Sequence, residues 1–238
     1  MSDIELPPIF TIPAGTQLYR ALNKEFLSNG ERAYTALDPN PFKDLEWLSD
    51  TRALYQDGAA VAGRFAPFRD EDNKPVPALY LAPLKETAYY EFVLRPMSAS
   101  SIKTLSKREF ERLEVATITL EHDLRLADCR ENYLFNGADQ FWDIEFDALF
   151  NTSQIKSIEN ARRLAKKIHD QYPDIDGLVW DSVRHSNVPV YVVFGSARTG
   201  QILRAVDALS DIPTWRPYLR KEINNGTLVI APDLASII

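Results

Sequence analysis

The chain has 238 residues, 45% of them hydrophobic and 11% aromatic, a globular composition with apolar mass for one large domain or two small ones. A formal net charge of -7 disfavours nucleic acid as the main partner, because phosphate backbones select basic surfaces. One cysteine, Cys129, excludes an internal disulfide and a cysteine zinc cluster; three scattered histidines (His122, His169, His185) form no metal motif, and no apolar run approaches the ~18 residues of a membrane span.

The opening residues are acidic and broken by Pro7 and Pro8, unlike a signal peptide, so a soluble cytoplasmic protein is expected. Residues 1–14 read as an extended lead-in, with Pro13 also blocking helix. Gly15 to Leu22 reads as a strand, with Leu18, Arg20 and Leu22 on one face and Tyr19 and Ala21 on the other. An arginine on an apolar face needs an acceptor or must snorkel to water. Asp38 to Pro41 is a turn signal, residues 42–55 read as helix, and Asp57-Gly58 closes them. Gly63-Arg64-Phe65 follows, with Gly63 permitting close backbone approach, and Arg69 to Pro75 reads as a polar loop.

Ala78 to Ala82 reads as a short buried strand that runs directly into a helix, with Pro83 in the first helical turn. Leu84, Thr87, Ala88 and Glu91 recur at helical spacing and form the face expected to pack inward. That leaves Glu91 at the edge of a core, where a carboxylate needs a partner or a task. Arg95-Pro96 ends the helix.

Residues 107–113 read as helical, and Val115 to Leu120 as a β-branched strand that pairs with Asp123 to Asp128 through a tight turn at Glu121-His122. Phe141, Trp142, Phe146 and Phe150 recur at near-helical spacing, as core or lid packing does. Ser157 to Gln171 is the clearest helix, with Ser157 as cap, Pro173 as stop and a stripe of Ile158, Ala161, Leu164, Ala165 and Ile168; Arg162, Arg163, Lys166 and Lys167 are read as its solvated face. Asp176 to Ser182 and the almost wholly apolar Val188 to Phe194 read as strands, the second central, and Thr227 to Ile230 as an edge strand. The expected architecture is one α+β domain with a mixed central sheet flanked by helices.

In order, the chain presents Tyr19-Arg20 on a strand, Gly63-Arg64-Phe65 in a loop, Leu79-Tyr80 on a strand, Glu91 on the following helix, and Trp180-Asp-Ser182-Val-Arg184 leading into the apolar strand. This ordered set resembles the RES domain family, NAD-degrading toxins commonly paired with an Xre-type antitoxin. The resemblance touches residues 15–22, 62–92 and 176–198, with about 95–155 and 200–238 as family-variable additions to a single domain spanning 1–238. It puts Arg20, Glu91 and Ser182 at the family's Arg, Glu and Ser, Arg64 at its second Arg and Tyr80 at the aromatic before the helix; Ser186 competes with Ser182. It departs from the family at Ala62, where a glycine is frequent, and in the long 69–77 loop. The fold it implies is similar to that of ADP-ribosyltransferases.

The activity implied is cleavage of the nicotinamide–ribose bond of NAD⁺ by water or by inorganic phosphate as co-substrate. Nicotinamide leaves as a neutral molecule, so the step requires no general acid, metal or further cofactor. A fixed carboxylate, Glu91, would stabilise the oxocarbenium-like ribose or orient the attacking group. Arg20 and Arg64 would grip the pyrophosphate, Tyr80 would stack on nicotinamide or bond near the reaction centre, and Ser182 would donate to a ribose hydroxyl or phosphate. Two other readings are an ADP-ribosyltransferase, which passes the ribosyl group to a macromolecule, and a catalytically silent interaction module. A Ser–His–Asp nucleophile built on Ser182 and His185 lacks the glycines of a nucleophile elbow.

Overall fold

Alternating apolar residues on five strands give the main sheet two buried faces, and each face has its own cover. The computed structural model describes residues 8–23, 29, 37, 65, 68–76, 78–93, 103–130, 155–182, 184, 185, 187–195, 203–208, 217, 219–221, 223–225 and 228–235. The strands are β1 (Ile9–Ile12), β2 (Gln17–Asn23), β3 (Phe68–Arg69), β4 (Pro75–Val76), β5 (Ala78–Leu81), β6 (Lys103–Leu105), β7 (Leu113–Leu120), β8 (Leu124–Asp128), β9 (Gly177–Asp181), β10 (Pro189–Phe194), β11 (Leu203–Ala208) and β12 (Leu228–Ile230). The helices are α1 (Lys85–Val93), α2 (Lys107–Glu111), α3 (Ile155–Gln171) and α4 (Pro232–Ala235). The expected turn at 38–41, helix at 42–55, its close at 57–58, the Arg95-Pro96 helix stop and the aromatic run at 137–150 lie outside the described residues.

The main sheet is mixed, in the order β1-β8-β9-β10-β5, with β8 and β9 parallel and the other pairs antiparallel. Its one face carries Leu178 and Trp180 from β9 and Val190, Val192 and Phe194 from β10, packed under the α3 stripe of Ala161, Leu164, Ala165 and Ile168. Its other face carries Leu79, Leu81, Leu126, Val179, Tyr191 and Val193, packed on Leu18, Leu22, Ala116, Ile118 and Leu120 of an antiparallel sheet β11-β7-β2. A third cluster joins Tyr89 and Tyr90 of α1 to Leu113 and Val115 of β7, with Phe110 of α2 and Leu234 of α4. The layers thus run helix, sheet, sheet, helices, an α+β domain as expected.

One backbone bridge ties the two sheets into a corner. Tyr19 N–H donates to Ala82 O and Ala82 N–H donates to Tyr19 O, each at 2.8 Å, so β2 continues the hydrogen bonding just past the end of β5. The outer faces of the two sheets therefore meet at this corner, and α1, which begins three residues after Ala82, packs against β2 there.

Several expectations are corrected. The lead-in contains β1, an edge strand of the main sheet held by backbone pairing to β8. β7 and β8 do not form a hairpin: β7 pairs with β2 and β11, β8 with β1 and β9, because Leu120 and Leu124 face each other across the core between the sheets. Residues 69–75 close a small β3–β4 hairpin, with Asn73 in the left-handed region (φ 61°) and Asp70 Oδ1 accepting the Lys74 N–H at 2.8 Å. The expected edge strand at 227–230 is β12, which pairs in parallel with β6 in a separate two-stranded sheet. Pro83 precedes α1 and is not in its first turn, since the first helical bond runs from Ala88 N–H to Leu84 O, and Leu84 is exposed. Ser157 lies inside α3, not at its cap. Arg162 is 2% exposed; it follows Ala161 and precedes Ala165 by three, which places it on the flank of the buried stripe, not on the solvated face.

Candidate active site

The corner between the sheets opens into a cleft. Tyr19 and Ala21 of β2 supply one wall, Tyr80 of β5, Trp180 of β9 and Val190 of β10 another, and Ala88, Glu91 and Phe92 of α1 the third. The walls are aromatic or aliphatic except for the Glu91 carboxylate. Trp180 anchors the aromatic wall, with Tyr80 edge-on at 5.9 Å between ring centroids and Phe65 tilted at 4.7 Å. Tyr80 Oη accepts the Phe65 N–H at 3.1 Å, and Phe65 is fully buried, so the residue after Arg64 is pinned to the cleft wall by backbone and ring.

Glu91 is half-buried near the C-terminal end of α1, where the helix dipole disfavours a negative charge. Two groups offset that cost. Ser182, just past β9 and 3% exposed, donates its hydroxyl to Glu91 Oε1 at 2.5 Å. The Ser182 oxygen in turn accepts the backbone N–H of Arg184 at 3.1 Å and of His185 at 2.8 Å, while Ser182 N–H bonds Val188 O at 2.9 Å. Arg184, half-buried, is the second: burial pushes its guanidinium below the ordinary range, and the Glu91 carboxylate pulls it back up. An arginine stays charged under such a shift, so a cation sits within electrostatic reach of the Glu91 carboxylate. His185 closes the loop onto α1, with Nδ1 at 2.8 Å from Thr87 Oγ1 and its ring edge-on to Tyr90.

Of the residues singled out from sequence, Tyr80 and Glu91 line the cleft and Ser182 bonds the acid. Arg64 and Ser186 lie outside the described residues. Arg20 is 1% exposed and shares the strand face of Leu18 and Leu22, between the two sheets, while its neighbours Tyr19 and Ala21 face the cleft. In register Arg20 opposes Ala116, with the buried Glu114 one step along the same face. Missed from sequence were Tyr19 and Trp180 as cleft walls, Arg184 as the cation beside Glu91, and the His185–Thr87 link. The period-two pattern of Tyr19 and Ala21 was visible, but the wall they join depends on the long-range Tyr19–Ala82 bridge.

Among the described residues, no cluster of three or more His, Cys, Asp or Glu side chains could hold a metal ion, and no helix is long and apolar enough to cross a membrane. No curated protein matches the chain. The RES domain matches it over residues 36–216, a span that contains Arg64, Tyr80, Glu91 and Ser182 and leaves Arg20 upstream. That match covers most of the sequence, and with Tyr80, Glu91 and Ser182 gathered at one cleft, the chain belongs to the RES domain family.

Proposed function

We propose that the chain is an NAD⁺-cleaving enzyme that acts as the toxin of a toxin–antitoxin pair. The observation that carries the reading is a single carboxylate, Glu91, held by Ser182 on the rim of an otherwise aromatic and aliphatic cleft. A flat cationic ring suits walls of tyrosine and tryptophan, and a developing ribose cation is stabilised by a fixed carboxylate within a low-dielectric wall.

In the reaction, the C1′–N bond to nicotinamide breaks and its electron pair returns to the ring nitrogen, which becomes neutral. A lone pair of water or inorganic phosphate forms the new C1′–O bond on the other face of the sugar. With water, the released proton passes to Glu91 or to solvent; the products are ADP-ribose and nicotinamide. Ser182 fixes the carboxylate, and its oxygen already accepts two amide hydrogens, which suits a positioning role better than donation to ribose. Arg184 and Arg64 are assigned to the pyrophosphate and Tyr80 to the nicotinamide side. Arg20 is assigned to supporting β2 from behind the Tyr19 wall.

The family context supports a partner antitoxin, of Xre type, that covers the cleft, and an intracellular site of action where NAD⁺ is abundant. Likeness to the ADP-ribosyltransferase fold belongs to the same reading. The test is incubation of the purified chain with NAD⁺ labelled on its adenylate, with and without phosphate. Label in ADP-ribose or its 1-phosphate supports cleavage; label on protein or nucleic acid indicates transfer; intact NAD⁺ after long incubation leaves an interaction module.

A further inference from the structure

Among the described residues, two side-chain hydrogen bonds join the loop after β9 to α1. Ser182 reaches Glu91, and His185 reaches Thr87 with Nδ1 at 2.8 Å from the buried hydroxyl. Thr87 and Glu91 are four apart on α1, so they lie one turn apart on the same face. Ser182 and His185 are three apart in the loop, and the His185 N–H closes back on Ser182 Oγ at 2.8 Å. Ser182 and His185 are thus tied to each other as well as to α1. The Thr87–His185 bond fixes the spacing of helix and loop one turn from Glu91, which holds the distance that the Ser182–Glu91 hydrogen bond spans.

We propose that His185 is a positioning residue for the cleavage reaction, clamping α1 through Thr87 so that the Glu91 carboxylate keeps its angle to the cleft. The hydrogen bonds of His185 go to Thr87 and to Ser182 Oγ, so it reaches Glu91 through the helix and through the serine. Its ring also packs edge-on against Tyr90, at 5.3 Å between centroids, which fixes the plane in which Nδ1 meets Thr87. The inference rests on the proposed activity of Glu91 for its kinetic consequences, while the clamp itself has a signature that requires no turnover.

Three variants test it. His185→Phe keeps a ring against Tyr90 and removes Nδ1; Thr87→Val keeps the shape of the threonine and removes the hydroxyl; His185→Asn restores an amide atom near the Nδ1 position. His185→Phe and Thr87→Val should each lower kcat about 10–100-fold, the scale of a small misplacement of a reacting group, with KM little changed. The double variant should lose no more than either alone, because both break one link. His185→Asn should recover most of the loss. The ¹³C carboxyl resonance of Glu91, recorded without substrate, should move in His185→Phe and Thr87→Val and return toward the parent position in His185→Asn. Parental kcat in His185→Phe, additive losses in the double variant, or an unmoved Glu91 resonance in folded variants would each overturn the clamp. If the parent chain consumes no NAD⁺, the proposed reaction fails, and the resonance alone decides the clamp.

Discussion

Ser182 Oγ lies 2.5 Å from Glu91 Oε1, and the same oxygen accepts the Arg184 and His185 amides. A hydroxyl has one hydrogen and two lone pairs; here the hydrogen goes to Glu91 and the amides fill the acceptor positions. The serine is thereby a fixed donor aimed at one carboxylate oxygen. Glu91 itself lines the cleft, whose walls include Tyr19, Tyr80 and Trp180.

Glu91→Gln should leave the fold intact, since Ser182 can donate to the amide oxygen as it does to the carboxylate. It should lower NAD⁺ turnover by at least about 10²–10³-fold, the usual effect of removing one group that stabilises transition-state charge. Chromatographic assay of nicotinamide release checks the rate, and a thermal melt checks the fold. A folded Gln variant with the parent rate removes Glu91 from the mechanism.

Ser182→Ala should act on two properties at once. The Arg184 and His185 amides lose their acceptor in a partly buried site, which costs about 1–3 kcal/mol of stability. The carboxylate also loses its fixed donor, so kcat should fall while KM for NAD⁺ changes little. Urea midpoints and steady-state kinetics measure these separately. A variant that mainly raises KM would make Ser182 a substrate contact.

Much of this arrangement was legible from local pattern. The faces of β2, the stripe of α3, the run of β10 and the strand-to-helix passage at Ala82 all follow from side-chain periodicity, which is a local property. The position of Glu91 at the edge of a core followed from the same spacing. What periodicity does not encode is which face meets which. Leu18, Arg20 and Leu22 were correctly grouped, yet whether that group or Tyr19 and Ala21 faces the site is decided by the bridge to Ala82. β7 and β8 look like a hairpin because they are adjacent and apolar, and they separate because the two-sheet core needs one on each side. β1 hides among prolines because its pairing to β8 uses backbone atoms. Arg184 stood in the ordered set that carries the resemblance but received no role, since its meaning is a charge near a distant helix.

The two arginines should separate in behaviour. Arg184→Ala removes the cation beside Glu91 and should weaken NAD⁺ binding, read as a raised Kd by calorimetric titration on the Glu91→Gln background. Arg20→Ala empties a fully buried position between the sheets and should cost about 3–5 kcal/mol, the cost of breaking a buried charge site, with Kd unchanged in the protein that still folds. If Arg20→Ala folds at parental stability and loses affinity, Arg20 reaches the dinucleotide after all.

Stability should fall on the alkaline side. Burial, and secondarily the Asp128 carboxylate, push the Cys129 thiol far above its ordinary value, and burial pushes Tyr191 up to about 12 against the opposing pull of Arg130. Both groups keep their protons in the folded chain at pH values where the unfolded chain has released them. The unfolded state then binds fewer protons, so the slope of unfolding free energy with pH is negative. The decline should begin near the ordinary thiol value of about 8.5 and steepen above about 10, where free tyrosine ionises. Urea midpoints between neutrality and pH 10 check it, and a midpoint that rises over this interval contradicts the burial of these two protons. Cys129 should accordingly resist thiol reagents in the folded chain and react on unfolding.

Gly177 opens β9 opposite Val193, at the centre of the main sheet. A Cβ built there would lie 1.8 Å from Val192 O and 2.8 Å from Val192 C. Those atoms are backbone, and they are held by ladders to β9 on one side and β5 on the other, so they cannot rotate away as a side chain would. Gly177→Ala must therefore push β10 and β9 apart, at a cost of about 3 kcal/mol or more, the upper end for overpacking a core. The displaced strands carry Trp180 and Val190 of the cleft and lead to Ser182, so the loss should spread to the site. A chemical melt of Gly177→Ala beside Gly195→Ala separates close approach from backbone strain. At Gly195 a Cβ meets nothing within 4 Å, but φ is 85° and the cost is conformational, of order 1–2 kcal/mol. Equal or reversed penalties would mean that β9 and β10 do not approach each other at Gly177 as described.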